Sequence, residues 1–380
     1  MVNVLIDGNY IFHKTFGIFS GFGKKNPGDV LSTEGERNMF IRKVITDLSY
    51  ALNQIPDIKR VVFCRDSRSW RKDFEIERSN YKESRVKEEG VDWSSFFNLM
   101  DEFGKYLETN GYVYSVQNGA EGDDLLWIWS ENIIKRGENV IIISGDKDMH
   151  QIVKDNNKNW IVVWNNVSKN NKITVSKEWN PSDNTEISVF DVDPMSENIE
   201  TKYNKLISSC EINKIDTREY IFKKILTGDK KDDVPGVYPY VTTGKNGERI
   251  SNIGDGRANK IWEIFLETEW KDMNMEDLWE NEDFINWIGG VTLRLIKQTD
   301  NTENREKFKQ NYIENGTLVW LSEKTVPLDI IRSVNSHIDE ISEKNEYTSP
   351  LLAKNDLIEN SPWGSASHNV PKEFDPFKLF

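Results

Sequence analysis

Residues 140–148 read VIIISGDKD: four branched aliphatic residues, two small ones, then Asp146 and Asp148 with a single residue between them. A short continuous apolar run that stops at Ser-Gly fits a strand buried on both faces, as in a parallel sheet. Where the chain stays extended, side chains at i and i+2 share a side. The strand would therefore deliver two negative charges together at its tip.

Three other runs have the same form. Residues 3–7 (NVLID) end on Asp7. Residues 60–65 (RVVFCR) lead into Asp66. Residues 112–116 (YVYSV) lead to AEGDD, which holds Glu121, Asp123 and Asp124. Helical periodicity over 35–53, 93–110 and 122–135 separates these strands, and 160–164 (WIVVW) adds another. Alternating β and α elements predict an open, doubly wound, mostly parallel α/β sheet. In such sheets sites form outside the carboxyl ends of the strands. Four acid-bearing tips then crowd one edge, where mutual repulsion raises carboxyl pKa values unless cations intervene. Oxygen-only donors suit Mg²⁺ or Mn²⁺. Two such ions about 4 Å apart make a clamp for phosphoryl chemistry. Any one of these acids alone is explained as a turn residue or helix cap; four tips together point to a metal site.

Directly after Asp66 comes SRSWRKDFEIERSNYKESRVK. Residues 59–87 carry ten Lys or Arg against five Asp or Glu, a local excess of positive charge in a chain of net charge −14. Arg71, Lys72, Arg78, Lys82 and Arg85 are interleaved with Trp70, Phe74 and Tyr81. Cations for phosphate and rings for bases suit single-stranded nucleic acid. A solvated helix with i,i+4 ion pairs explains the stretch equally well, since Glu75, Glu77 and Glu83 are mixed in. Beside an acid cluster it favours a substrate clamp, with Lys82 toward the scissile phosphate and Tyr81 stacking on a terminal base.

From residue 216 the pattern turns helical, over 218–226, 257–267, 282–297, 302–312 and 328–342. ILTGDKKDDVPGV (225–237) supplies Asp229 and Asp232. NIGDGRANKI (252–261) sets Gly254, Gly256 and Arg257 at a helix start, whose amides suit a phosphate. Together they suggest a helix–hairpin–helix-like grip on a duplex backbone. The expected organisation is an α/β domain over 1–215 with a basic arch at about 67–92, a helical DNA-binding region over 216–344 and a tail over 345–380. The tail ends PKEFDPFKLF, an apolar hook that suits a sliding-clamp peptide or packing on its own domain. Apolar runs are far shorter than the roughly 20 residues a membrane span needs, so no membrane partner is expected. Cys64 and Cys210 show neither metal-ligand spacing nor a disulfide framework. A cytoplasmic location fits, the host cytoplasm if the chain is phage-encoded.

The set LIDGN, VFCRDSRSWRKDF, NYKESR, AEGDD, ISGDKDMHQI, LTGDKKDDVPGV and NIGDGRANKI resembles the 5′-nuclease superfamily, which includes flap endonucleases and the 5′-exonuclease domain of bacterial DNA polymerase I. Within it the likeness is nearest to the T-even bacteriophage ribonuclease H type. The resemblance implies a PIN-like fold and a metal-dependent 5′ to 3′ exonuclease or flap endonuclease that removes RNA primers and 5′ flaps during DNA replication. It implies two Mg²⁺ (or Mn²⁺), one held by Asp7, Asp66, Glu121 and Asp123. Asp146, Asp148 and Asp232 would hold the second, with Asp123 or Asp124 near both and Asp229 outside them. Lys82 and Arg85 match catalytic basic positions of the arch, and Tyr81 its stacking position. The implied partners are DNA with a 5′ flap or nick and RNA·DNA hybrid, with a sliding clamp and a single-strand binding protein as protein partners. There are departures: residues 238–252 intervene where the family runs almost directly between its two glycine-rich segments, the second of these reads GDGRA, and residues 166–215 are longer than a minimal member needs. A PIN-type RNA endonuclease and a non-catalytic structure-specific binder are the competing readings.

Overall fold

The computed structural model describes residues 1–22, 30–74, 81–85, 91–156, 158–166, 171–179, 206–207, 209–244, 247–343 and 363. The chain divides into two compact units. The first comprises Met1–Ser67, Lys87–Ile215 and Arg332–Phe380; the second comprises Arg68–Val86 and Asp216–Ile331.

The first unit is built on a mixed, mostly parallel sheet. Its strands are β1 (Val2–Asp7), β2 (Ile58–Cys64), β3 (Val113–Ser115), β4 (Asn139–Ile143), β5 (Lys154–Asp155), β6 (Trp160–Asn165), β7 (Lys172–Ser176) and β8 (Glu211–Ile215). The spatial order is β3-β2-β1-β4-β6-β7-β8, with β5 on β6. β1 pairs in parallel with both β2 and β4, so Ile6 lies beside Phe63 on one side and Ile143 on the other. The chain thus winds outward in opposite directions from β1 and β4. This reversal opens a crevice beyond their carboxyl ends, where Asp7, Asp66 and Asp146 stand. The antiparallel β6–β7 pair turns the far end of the sheet.

Helices α1 (Gly8–Phe22), α2 (Glu34–Gln54) and α3 (Trp93–Thr109) cover one face. They enclose Val4, Ile6, Phe63, Ile141 and Ile143 with Phe12, Phe40, Phe96 and Phe103 in one core. The alternate residues Leu5, Val62 and Ile142 are also buried, as strands covered on both faces require. Helix α4 (Gly122–Lys135) packs on β1, β2 and β4. Further along the chain, Asn335 and Asp339 meet Asn132 and Arg136 of α4. Of the tail, only Trp363 is described. Its ring meets Tyr106 edge-on at 5.3 Å, and its carbonyl accepts two hydrogen bonds from Arg42. The terminal apolar hook lies outside the described residues.

The second unit is helical: α5 (Thr217–Thr227), α6 (Asp255–Phe265), α7 (Met275–Trp279), α8 (Glu282–Leu295), α9 (Thr302–Val319) and the start of α10 (Leu328–Glu343). The intervening residues noted in the sequence form an antiparallel hairpin, β9 (Tyr240–Gly244) with β10 (Gly247–Ser251). The helix–hairpin–helix-like element is therefore α5, the GDKKDDVPGV loop, this β-ribbon and α6. Its core includes Phe222, Trp262, Phe265 and Phe284, and Tyr81 from the basic stretch is buried with them.

Candidate metal centre

Asp7 closes β1 and is only 6% exposed. Its Oδ1 accepts the Tyr10 N–H at 2.9 Å, and its Oδ2 accepts the Ser144 hydroxyl at 2.7 Å. These donors favour the charged form, yet the net effect runs the other way. Burial pushes the carboxyl up, and the Asp66 and Asp146 charges add to it, to about 7.

Asp66 follows β2 and is held from two sides. Asn9, in the first turn of α1, donates to Oδ2 at 2.6 Å and accepts the Asp66 N–H at 3.2 Å. The Gly122 N–H donates to Oδ1 at 2.5 Å. A Cβ at position 122 would sit 2.7 Å from that oxygen, so the close approach requires glycine.

AEGDD opens α4, as the sequence predicts. Glu121 is its N-cap and is buried. Asp124 is fully buried, and its carboxylate accepts the Glu121 N–H at 3.0 Å. That corrects its reading as a ligand: it turns back on the helix start. Asp123 keeps some exposure. Desolvation, followed by the charges of Asp146, Asp7, Asp148 and Asp66, pushes its carboxyl well above the usual range.

Asp146 and Asp148 lie where β4 runs into a short 3₁₀ turn, Lys147–Ile152. Asp146 is exposed, accepts the Asp148 N–H at 2.9 Å and donates its own N–H to Ser144 Oγ at 3.0 Å. Gly145 lets this turn lie against the Tyr10 ring, which a Cβ would meet at 2.4 Å. Sequence reasoning passed over Asn9, Tyr10 and Ser144, which hold these carboxylates. Asn9 and Ser144 sit inside quoted motifs, but their partners Asp66 and Asp7 lie 57 and 137 residues away; Tyr10 acts through its backbone N–H, which any residue but proline supplies.

The structure therefore brings Asp7, Asp66, Asp146 and Asp148 within electrostatic range of Asp123. Among the described residues no three His, Cys, Asp or Glu side chains are arranged to hold a metal ion. Donor chemistry and charge nonetheless fit a divalent cation. The donors are all oxygen, and Asp7 and Asp123 are pushed up first by burial and then by the neighbouring carboxylates, a cost that a cation would relieve.

Residues 2–181 match the family model for the 5′-3′ exonuclease, N-terminal resolvase-like domain. The match covers 180 of the chain's 380 residues. The curated 5′-3′ exonuclease of Buchnera aphidicola subsp. Schizaphis graminum (strain Sg) is 23% identical over 236 residues, which cover 62% of this chain and 64% of that protein. The match thus spans less than two thirds of that relative. Two solved structures of bacteriophage T5 proteins are similar at 15% identity and a TM-score of 0.49, each covering 90% of this chain and 100% of its own. One is the D15 protein crystallised with metal ions; the other is the D15 flap endonuclease in a pseudo-enzyme–product complex with DNA and metal ions.

The remaining expected site positions fall in the helical unit, and several differ from expectation. Asp232 is engaged by the Tyr81 hydroxyl at 3.1 Å, by Lys82 Nζ at 3.6 Å and by the Arg85 guanidinium. Within its own unit its charge is therefore countered by two cations. Asp229 caps the turn Lys230–Asp232 and pairs with Lys224 at 3.2 Å. Burial alone would raise its carboxyl; the Lys224 ammonium and nearby N–H donors outweigh this and hold it below its usual range.

Tyr81 is 7% exposed, so its ring belongs to the core and presents no stacking platform. Lys82, with a left-handed φ of 58°, lies 4.8 Å over that ring. Arg71 is 2% exposed, donates to the Leu318 carbonyl at 3.0 Å and lies over the Trp70 ring. That corrects its reading as a phosphate contact. Lys72 is exposed, as are Gly254, Gly256 and Arg257 at the start of α6. Arg78 lies outside the described residues.

Proposed function

We propose that this chain is a divalent-metal-dependent 5′-nuclease that hydrolyses phosphodiesters near 5′ ends, as a 5′ to 3′ exonuclease and flap endonuclease. In replication it would remove RNA primers and 5′ flaps. The observation that carries the reading is the acid group beyond β1 and β4, in which Asp7 is driven up to about 7 by burial and by its neighbours. The family match over residues 2–181 supports it.

Asp7, Asp66, Glu121, Asp123, Asp146 and Asp148 would hold the cations, two Mg²⁺ or Mn²⁺ in our reading. Bound there, they supply a polarised water and neutralise phosphate charge. The chain's residues do the rest. Ser144 and the Tyr10 N–H orient Asp7. Buried β1 and β4 hold the carboxylates on rigid strand ends. Lys82 and Arg85 are the cations we assign to the scissile phosphate, once released from Asp232 by a competing phosphate. Lys72, Arg257 and the amides at Gly254 and Gly256 suit backbone phosphates.

The substrates we infer are DNA with a 5′ flap or nick and RNA·DNA hybrid. A sliding clamp and a single-strand binding protein are the protein partners we infer, the clamp through the tail. No helix among the described residues is long and apolar enough to cross a membrane; we place the chain in the cytoplasm. The test is a 5′-end-labelled flap duplex beside single-stranded RNA, with Mg²⁺ or with chelator. Metal-dependent release from the flap supports the reading. Preference for the free RNA points to an RNA endonuclease, and binding without cleavage points to a structural binder.

A further inference from the structure

Asn9 contacts the acid group without being an acid. It lies two residues after Asp7, within the first turn of α1. Its amide makes a reciprocal pair with the residue that follows β2: Nδ2 donates to Asp66 Oδ2 at 2.6 Å, and Oδ1 accepts the Asp66 N–H at 3.2 Å. Two-point contact fixes both the backbone and the carboxylate of Asp66 relative to the end of β1. The opposite carboxylate oxygen takes the Gly122 N–H at 2.5 Å. Asp66 is thus gripped between β1–α1 on one side and the start of α4 on the other.

A carboxylate among like charges lowers its energy by rotating away from them. A neutral amide opposes that rotation and adds no charge. We propose that Asn9 is a positioning residue that pre-sets the Asp66 carboxylate as a cation ligand. The proposal rests on the metal-dependent reading above. Partners that orient metal ligands typically contribute about 10- to 100-fold in metal affinity or activity.

The experiment is Mn²⁺ binding to the full chain, by electron paramagnetic resonance of the free ion, beside flap cleavage titrated with Mn²⁺. Three proteins are compared: wild type, Asn9→Leu, which keeps volume and loses the donor, and Asn9→Gln, which keeps the amide on a longer arm. Asn9→Leu is expected to weaken Mn²⁺ binding by about 10-fold or more. The Mn²⁺ needed for half-maximal cleavage rises in step, and the KM for DNA at saturating Mn²⁺ stays put. Asn9→Gln loses less. Should Asn9→Leu not fold, Asn9→Ser, whose hydroxyl is too short to bridge to Asp66, replaces it. Wild-type affinity in Asn9→Leu, or equal losses in the Leu and Gln variants, overturns the proposal and leaves the metal-dependent reading standing. Absence of Mn²⁺ binding and of cleavage by the wild type overturns both.

Discussion

The Ser144 hydroxyl donates to the Asp7 carboxylate at 2.7 Å across the parallel β1–β4 pair. The same oxygen accepts the Asp146 N–H at 3.0 Å. One small side chain thereby couples the two strand ends that carry the acid group. Ser144→Ala removes both bonds and leaves a buried carboxylate oxygen with one donor fewer. It is expected to destabilise the fold by about 1–3 kcal/mol, read by urea denaturation, and to lower metal affinity. Wild-type stability and affinity together would argue that Asp7 is oriented by Tyr10 alone.

The raised Asp7 pKa gives a pH signature to the metal-free protein. Folded Asp7 titrates near 7, against about 4 in an unfolded chain. Between those values the native state binds more protons than the unfolded state, so stability falls as pH rises. Its contribution is fully present below pH 4 and is lost by the time pH has passed 7. In chelator, the melting temperature should drop between pH 5 and pH 8. Asp7→Asn should flatten that drop, and Mg²⁺ should raise melting more at pH 8 than at pH 5. A metal-induced shift independent of pH would count against this account of the site.

Arg71 and Lys72 are adjacent but should behave differently. Arg71 is buried against Leu318 and Trp70, whereas Lys72 is exposed. Arg71→Ala is expected to cost about 2 kcal/mol or more, since it removes a charged buried hydrogen bond and its packing. Lys72→Ala should leave stability within about 0.5 kcal/mol and reduce the salt dependence of DNA binding by roughly one phosphate contact. Melting curves and salt titrations on both variants check the contrast.

Tyr81 gives a sharper version of that contrast. As a buried ring bonded to Asp232, it should tolerate loss of its hydroxyl at a cost of about 1 kcal/mol, with DNA KM unchanged in Tyr81→Phe. A stacking platform would instead lose substrate affinity in Tyr81→Leu with no loss of stability. Equilibrium unfolding and flap-cleavage kinetics on the two variants separate these outcomes.

These residues also show what the sequence can display. β1, β2, β4 and β6 are legible because burial on both faces demands unbroken apolar runs such as VIII and WIVVW. The acid tips are legible because the topology that follows from β–α alternation gathers strand ends. Helix α1 was not, because GNYIFHKTFGIFSGF is crowded with aromatics and glycines and starts directly on the Asp7 strand end. Residues 166–215 read only as strand fragments and a loop, because β7 and β8 are short, with polar residues in KITVS and EINKI. The hairpin β9–β10 appeared only as an insertion. Arg71 and Tyr81 looked like solvent-facing clamp residues because the atoms that bury them lie 247 and 151 residues away. Charge and aromatic content are local properties; which side of a residue meets the core is not.

A metal-dependent catalytic centre at Asp146 and its neighbours must lose cleavage when either the metal or that carboxylate is removed. The direct measurement is product release from a 5′-end-labelled flap duplex in Mg²⁺ by wild type and by Asp146→Asn, with DNA binding followed in parallel. Wild-type cleavage is expected to be abolished by chelator. Asp146→Asn is expected to lose at least about 100-fold, with DNA still bound. Undiminished cleavage by Asp146→Asn, or cleavage by the wild type in chelator, would contradict it.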